Sequence, residues 1–131
     1  MFDQYKTFLD IFLLSLGAVL GSYLRFQIIS QFSLRGLSQH WPILFINTFS
    51  CFSLGLITAL EDTIKTYDIN DSLRVFFVIG FLASFSTFSS FLWEFCLNLQ
   101  GKKWFKSFFI LSSSLLGGAL FVLAGYRLGN N

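Results

Sequence analysis

The sequence predicts an all-α integral membrane protein of four transmembrane helices. Three observations point there. The chain has 131 residues, 54% of them hydrophobic and 12% charged, with a mean hydropathy of +0.67; a soluble domain carries roughly a quarter charged residues. The charges fall between uncharged runs at 11–24, 36–60, 75–93 and 107–126, and a helix crosses a bilayer with about 20 mostly apolar residues. The runs lack the polar–apolar alternation of an outer-membrane strand. With aromatics at 20% and a net charge of only +2, the composition also excludes a disordered chain and a nucleic-acid binder.

The first span is read over 8–29. Its uncharged run is short, with Asp10 near one end and Arg25 near the other. Fifteen positions apart, they are separated by about 22 Å of helix, against a hydrocarbon core about 30 Å thick. At least one must therefore snorkel, pair or face water. Asp10 reads as the interfacial end. Gly17 and Gly21 make a GxxxG ridge, which brings helix backbones close where lipid supplies no hydrophobic force between helices. The residues before it, MFDQYKTFLD, carry two acids and no basic cluster, which argues against a cleaved signal peptide.

The second span, 42–60, opens on His40-Trp41-Pro42. His40 beside Trp41 reads as an interfacial anchor rather than a ligand or proton relay. Asn47 is the only Asn deep in a span, with Ser50 and Thr58 on roughly the same face. Two roles fit its amide: a bond between helices, worth about 0.6 kcal/mol on average, or a donor lining a path for a hydrogen-bond acceptor. Cys51 and Gly55 repeat the small-residue spacing. Cys51 and Cys96 form no metal or redox spacing and read as buried free thiols.

The third span, 75–99, holds the most informative stretch, GFLASFSTFSSFLWE from Gly80 to Glu94. Its centre, Ala83-Ser84-Phe85-Ser86-Thr87, is poor helix, because Ser and Thr offer the backbone other partners. A break there must be buried in protein or line water, and its carbonyls could hold a hard cation such as Na⁺. Phe88 and Phe91 share a face; Ser86, Ser90 and Glu94 run along a neighbouring one. The rings are either packing or a path whose positive ring edges meet a small dehydrated anion. Glu94 is either an interfacial charge or a vestibule residue. The fourth span, 105–126, repeats the small-residue ridge as Ser113/Gly117 and Ser114/Gly118, and does not distinguish which of Ser112, Ser113 and Ser114 faces a path. The ridges together predict a compact bundle and an oligomer.

Four spans put both termini on one side, with Lys6, Lys65, Arg74 and Arg127. Arg25, Arg35, Lys102, Lys103 and Lys106 lie on the other. Orientation follows Lys/Arg asymmetry, and here it is almost nil. Either one side wins weakly or the chain inserts both ways.

These stretches resemble the Fluc (CrcB) family of fluoride channels: GAVLGSYLRF ending in Arg25-Phe26, LFINTFSCFSLG around Asn47, and above all GFLASFSTFSSFLWE against a family pattern of roughly GFxGGFTTFSTFSxE. The resemblance covers most of the chain in order. It implies a dual-topology antiparallel dimer with two fluoride pores and a central structural Na⁺, passing fluoride passively out across the cell (inner or plasma) membrane and so protecting the cytoplasm. By the matched motif, Asn47 is the pore amide, Phe88 and Phe91 the pore aromatics, and Ser89 and Ser90 the polar-track hydroxyls. The Na⁺ carbonyls come from Ala83 and Ser86, Arg25 attracts anions in the vestibule, and Glu94 lies near the pore mouth. The partner is a second copy or a homologous subunit. The departures are Ala83-Ser84 for Gly-Gly, Ser86 for Thr, Ser50 for Gly, Pro42-Ile43 for Gly-Thr, and Phe108 or Phe109 for a Tyr. Gly tolerates φ > 0 and Ala does not, so the first bears on the Na⁺ site.

A small dual-topology multidrug exporter is the main alternative, but it needs a mid-span acid for proton exchange, and span one has none between Asp10 and Arg25. A non-transporting membrane scaffold would explain the glycine ridges but not Asn47 with FSTFSSF. An enzyme is least in keeping with a single His and no nucleophile–base pair.

Overall fold

The computed structural model describes residues 2–63 and 71–130. Lys65, part of the charge balance above, lies outside the described residues. Among the described residues every regular element is a helix, and there is no strand. Four segments are long and apolar enough to cross a membrane: Gln4–Leu34, His40–Glu61, Asp71–Gln100 and Trp104–Gly129. The chain is thus a multi-pass membrane protein.

Helix α1 (Phe2–Leu34) has 33 residues, about 50 Å at 1.5 Å per residue, so its end turns extend beyond a ~30 Å hydrocarbon core. It stops at Gly36, φ +67°. The Gly36 N–H donates to the Ser33 carbonyl at 3.0 Å and the Leu37 N–H to the Phe32 carbonyl at 3.1 Å. This left-handed cap satisfies two orphan carbonyls, and glycine adopts it without strain. Helix α2 (His40–Thr63) carries Pro42 in its first turn, where no helical N–H is needed.

The third span is composite. A turn of α3 (Asp71–Arg74) leads into a π-helix (Val75–Leu82), a short α4 (Ala83–Phe85), and, after a break, α5 (Phe88–Gln100). At the break Ser86 (φ −68°, ψ 155°) and Thr87 (φ −148°, ψ 114°) are both extended. The poor helix-forming centre thus breaks near the middle of the span. Helix α6 (Trp104–Gly129) completes the bundle.

The helices pack as two tight pairs. α2 lies most extensively against α6, and α1 against the π-helix and α4. Glycine makes both contacts possible. A Cβ on Gly17 would stand 2.5 Å from the Phe76 carbonyl oxygen, and one on Gly80 2.8 Å from that of Leu14. A Cβ on Gly55 would overlap the Val122 carbonyl, and one on Gly125 that of Phe52. The GxxxG of α1 is therefore used as expected. In α6 the backbone contact falls at Gly125, whereas Gly117 and Gly118 meet only side chains, those of Thr48 and Cys51 among them.

Between the pairs the packing is thinner. Its core is Ile43, Phe91 and Ile110, flanked by Ile29, Phe95 and Leu111. At the end bearing the N-terminus, Lys6 Nζ meets Asp71 Oδ2 at 3.0 Å, Ser72 Oγ donates to Asp10 Oδ1 at 3.0 Å, and Arg74 Nε meets Glu61 Oε1 at 3.5 Å. Asp10 is therefore paired at the interfacial end.

Candidate ion pathway at the helix break

The break frees backbone groups that an unbroken helix would pair internally. The Thr87 N–H would go to the Ala83 carbonyl; it donates instead to Asn47 Oδ1 at 2.9 Å. The Ser90 N–H would go to the Ser86 carbonyl; it donates instead to Thr87 Oγ1 at 3.2 Å, capping α5. The Ala83 and Ser86 carbonyls both lose their helical donor.

Side chains from both flanking helices hold the break. Asn47 of α2 accepts the Thr87 N–H and donates its Nδ2–H to the Thr87 carbonyl at 3.1 Å, a two-point amide pair that mimics a strand bridge. Arg25 of α1 donates from Nη1 to the Ser86 carbonyl at 3.3 Å. Arg25 thus pairs inside the protein. It stands at the break, and it does not line the groove described next.

Beside the break a groove of about 440 Å³ runs between the helix pairs. It is lined by Asn47, Ser50, Cys51 and Leu54 of α2, by Val78, Leu82, Ala83, Ser86, Thr87, Phe88 and Phe91 of the third span, and by Ser114 and Leu115 of α6. Among the described residues, no charged side chain lines it. Asn47 retains one N–H beyond its bond to Thr87, since its amide has two. Phe88 and Phe91 meet with ring centroids 5.7 Å apart, tilted by 44°. They differ in burial: Phe91 is 5% exposed and Phe88 70%, so Phe88 stands at the open side of the groove.

The structure therefore brings Asn47, Ala83, Ser86, Phe88 and Phe91 to one place. Ser89 and Ser90 stand behind it, in a hydroxyl cluster around Thr87 Oγ1 at 3.4 and 3.0 Å. Glu94 is buried beyond the end of the groove, accepting a hydrogen bond from Ser38 Oγ at 3.3 Å. Two groove residues were not singled out from sequence. Thr87 is the hub of the break, and its signal was the cap spacing Thr87-x-x-Ser90. Ser114 is the one of the three α6 serines that lines the groove, and its Oγ is buried with no hydrogen-bond partner. Cys51 and Cys96 are both free and half-buried.

The departure at Ala83 is accommodated without strain. Ala83 has φ −66° and ψ −32°, and no residue of the break has positive φ. The freed oxygens of Ala83 and Ser86 are hard donors of the kind Na⁺ takes, although Arg25 already shares the Ser86 oxygen. Among the described residues, no cluster of His, Cys, Asp or Glu is arranged to hold a metal.

Fold and groove define a small helical membrane protein in which a mostly apolar groove, carrying an amide and several hydroxyls, lies beside a broken helix. Residues 12–126 match the family described as CrcB-like protein, Camphor Resistance (CrcB), and the chain belongs to it. It is 41% identical over 104 residues (77% of this chain, 84% of the relative) to fluoride-specific ion channel FluC 2 of Prochlorococcus marinus strain NATL2A. It is 33% identical over 130 residues (99% of both chains) to FluC 2 of a second Prochlorococcus marinus strain, SARG. Fluoride-specific ion channel FluC of Haemophilus ducreyi is 32% identical over 117 residues (89% of both).

Proposed function

We propose that this chain is a fluoride-selective channel that lets fluoride leave the cytoplasm passively across the cell membrane and so protects the cell. The observation that carries the reading is the uncharged groove, with an amide, hydroxyls and two phenyl rings around a helix break. A bare anion in hydrocarbon costs tens of kcal/mol by Born solvation. Weak, distributed donors lower that barrier and still allow release, which conduction requires. Asn47, Ser114, Ser90 and Ser89 supply hydrogen-bond donors along or behind this path, and Phe88 and Phe91 supply positive ring edges. Arg25 and Glu94 set the charge around it. The absence of a carboxylate from the groove disfavours proton-coupled export of cationic drugs. The aligned amide, hydroxyls and rings, like the relatives' names, disfavour a mere scaffold.

The working unit in this reading is an antiparallel dimer. The groove lies open on the side where Phe88 is exposed, and a second copy inserted the other way would close it. Two copies would give two pathways. The Ala83 and Ser86 carbonyls, two from each chain, would hold a structural Na⁺ between the breaks; its part is to neutralise carbonyl dipoles and tie the copies together. A homologous subunit in place of the second copy would do the same.

Fluoride release from liposomes containing the purified chain tests the reading. Release well above protein-free vesicles, with chloride retained, is the expected result. Release restored only by adding a homologous subunit would replace the homodimer with a heterodimer. Background release with every partner would overturn the channel.

A further inference from the structure

Helix α1 turns Gly21 to the third span, where an added Cβ would overlap the Phe81 carbonyl. Tyr23 lies two residues on, about 200° round the helix, and so on a different face. From there Tyr23, Gln27, Gln31 and Arg35 follow at every fourth position, with Leu24, Ile28 and Phe32 in the column beside them. Together they line a concavity of about 620 Å³, and none of them lines the groove at the break. The inner polar pair satisfies itself: the Gln27 Nε2–H donates to the Tyr23 hydroxyl at 2.7 Å. Gln31 and Arg35 are exposed, and among the described residues their side chains have no hydrogen-bond or ion-pair partner. Their depth follows from the break. Gly21 packs level with Phe81 and Phe85, just before it, and the break falls near mid-span. Gln31 then stands about 15 Å further along the axis and Arg35 about 21 Å. Half of the hydrocarbon core is about 15 Å, and the headgroups extend that half to about 20–22 Å. Gln31 therefore reaches the edge of the hydrocarbon and Arg35 the headgroup layer. By sequence this end of the chain carries Arg25, Arg35, Lys102, Lys103 and Lys106 against a single acid, Glu94. At the opposite end Lys6 and Arg74 are already paired with carboxylates.

We infer that this face of α1 binds an anionic phospholipid. Arg35 takes the headgroup phosphate in charge-assisted bonds. Gln31 donates to an ester carbonyl one turn deeper, and an acyl chain lies along Leu24, Ile28 and Phe32. Both open side chains offer N–H donors, and the lipid at those two depths offers acceptor oxygens. Charge selects the headgroup. A zwitterionic lipid brings its own cation to a surface already rich in them, whereas an anionic lipid is drawn by every nearby Lys and Arg. In the proposed dimer the two inverted copies would place one such site in each leaflet. The inference does not depend on the fluoride reading.

Two measurements on the full chain test this. In the first, Phe32→Trp is made with Trp41, Trp93 and Trp104 replaced by Phe, leaving one indole on this face. The protein is reconstituted in phosphatidylcholine bilayers containing brominated phosphatidylglycerol or, separately, brominated phosphatidylcholine, and bromine quenches the emission of a neighbouring indole. Phosphatidylglycerol should quench at about fivefold lower mole fraction, as expected for one basic side chain acting near the surface. Arg35→Gln in the same background should remove that preference, and Arg35→Lys should keep most of it. Equal quenching by the two lipids, or a preference unchanged in Arg35→Gln, would overturn the inference. Quenching by neither lipid would also overturn it and would assign the face to a second subunit. The second measurement keeps every native tryptophan, should the first background fail to assemble. Native mass spectrometry from detergent with added phosphatidylglycerol should show an extra retained lipid per copy in the wild type relative to Arg35→Gln combined with Gln31→Leu. Equal lipid counts would overturn the site.

Discussion

Replacing Asn47 by Ala removes both side-chain bonds to Thr87, at 2.9 Å to its N–H and 3.1 Å to its carbonyl. Thr87 is buried, so water does not replace them readily. Each orphaned backbone group costs about 1–3 kcal/mol, and the pair about 2–6 kcal/mol. Even the lower figure is roughly a thirtyfold change in an opening equilibrium. Hydrogen exchange at the Thr87 amide is the direct assay: protection should fall about thirtyfold or more in Asn47→Ala, with fluoride release falling in parallel. Asn47→Asp is expected to conduct still less. It keeps an acceptor for the Thr87 N–H but turns an anionic oxygen toward the Thr87 carbonyl, and it charges the groove negatively. Unchanged or increased protection at Thr87 would refute the clamp. Flux unchanged by the Asp substitution would place Asn47 off the path.

Other consequences follow from the packing and the break. Gly55→Ala or Gly125→Ala should destabilise the α2–α6 pair by about 3 kcal/mol, the upper range for overpacking, because the added methyl meets carbonyl oxygens that cannot rotate away; unfolding in detergent measures it, and near-neutral variants would contradict the contact. Phe88→Ile should abolish most fluoride release while leaving the fold intact, since the ring is largely exposed. Phe91→Ala should reduce both release and stability, the latter by about 3–5 kcal/mol, because Phe91 belongs to the core with Ile43 and Ile110; equal effects of the two on unfolding would contradict that division. Exchanging Na⁺ for a bulky organic cation should weaken subunit association, read by crosslinking or single-molecule photobleaching, and association indifferent to the exchange would remove Na⁺ from the interface.

Much of this architecture was legible because membrane helices are marked by length and by the absence of charge. The break was legible too, since hydroxyl-rich Ser84-Phe85-Ser86-Thr87 is poor helix. Other features depend on contacts distant in sequence. That Asn47 grips the backbone of Thr87 follows from how α2 meets the break, forty residues on, and side-chain chemistry alone left packing and pathway roles open. The π-helix over Val75–Leu82 has no compositional mark in VFFVIGFL; it is seen only where that segment lies against Gly17 and Gly21. Among the α6 glycines, spacing pointed to Gly117 and Gly118, yet the crossing of α2 puts backbone contact at Gly125. His40 beside Trp41 has the composition of an interfacial anchor, and only the approach of Phe109 shows that it is covered.

The open side of the groove has a consequence for how the protein comes together. A lone chain in a bilayer has no water at that depth to fill it, so acyl chains settle against Phe88 and Leu115. In the proposed dimer, pairing is then an exchange in which lipid leaves as the second copy arrives, and lipid is the competing ligand. The fraction assembled should depend on how well the surrounding acyl chains fill that gap, so that membrane composition sets how much of this protein is working at a given level of expression.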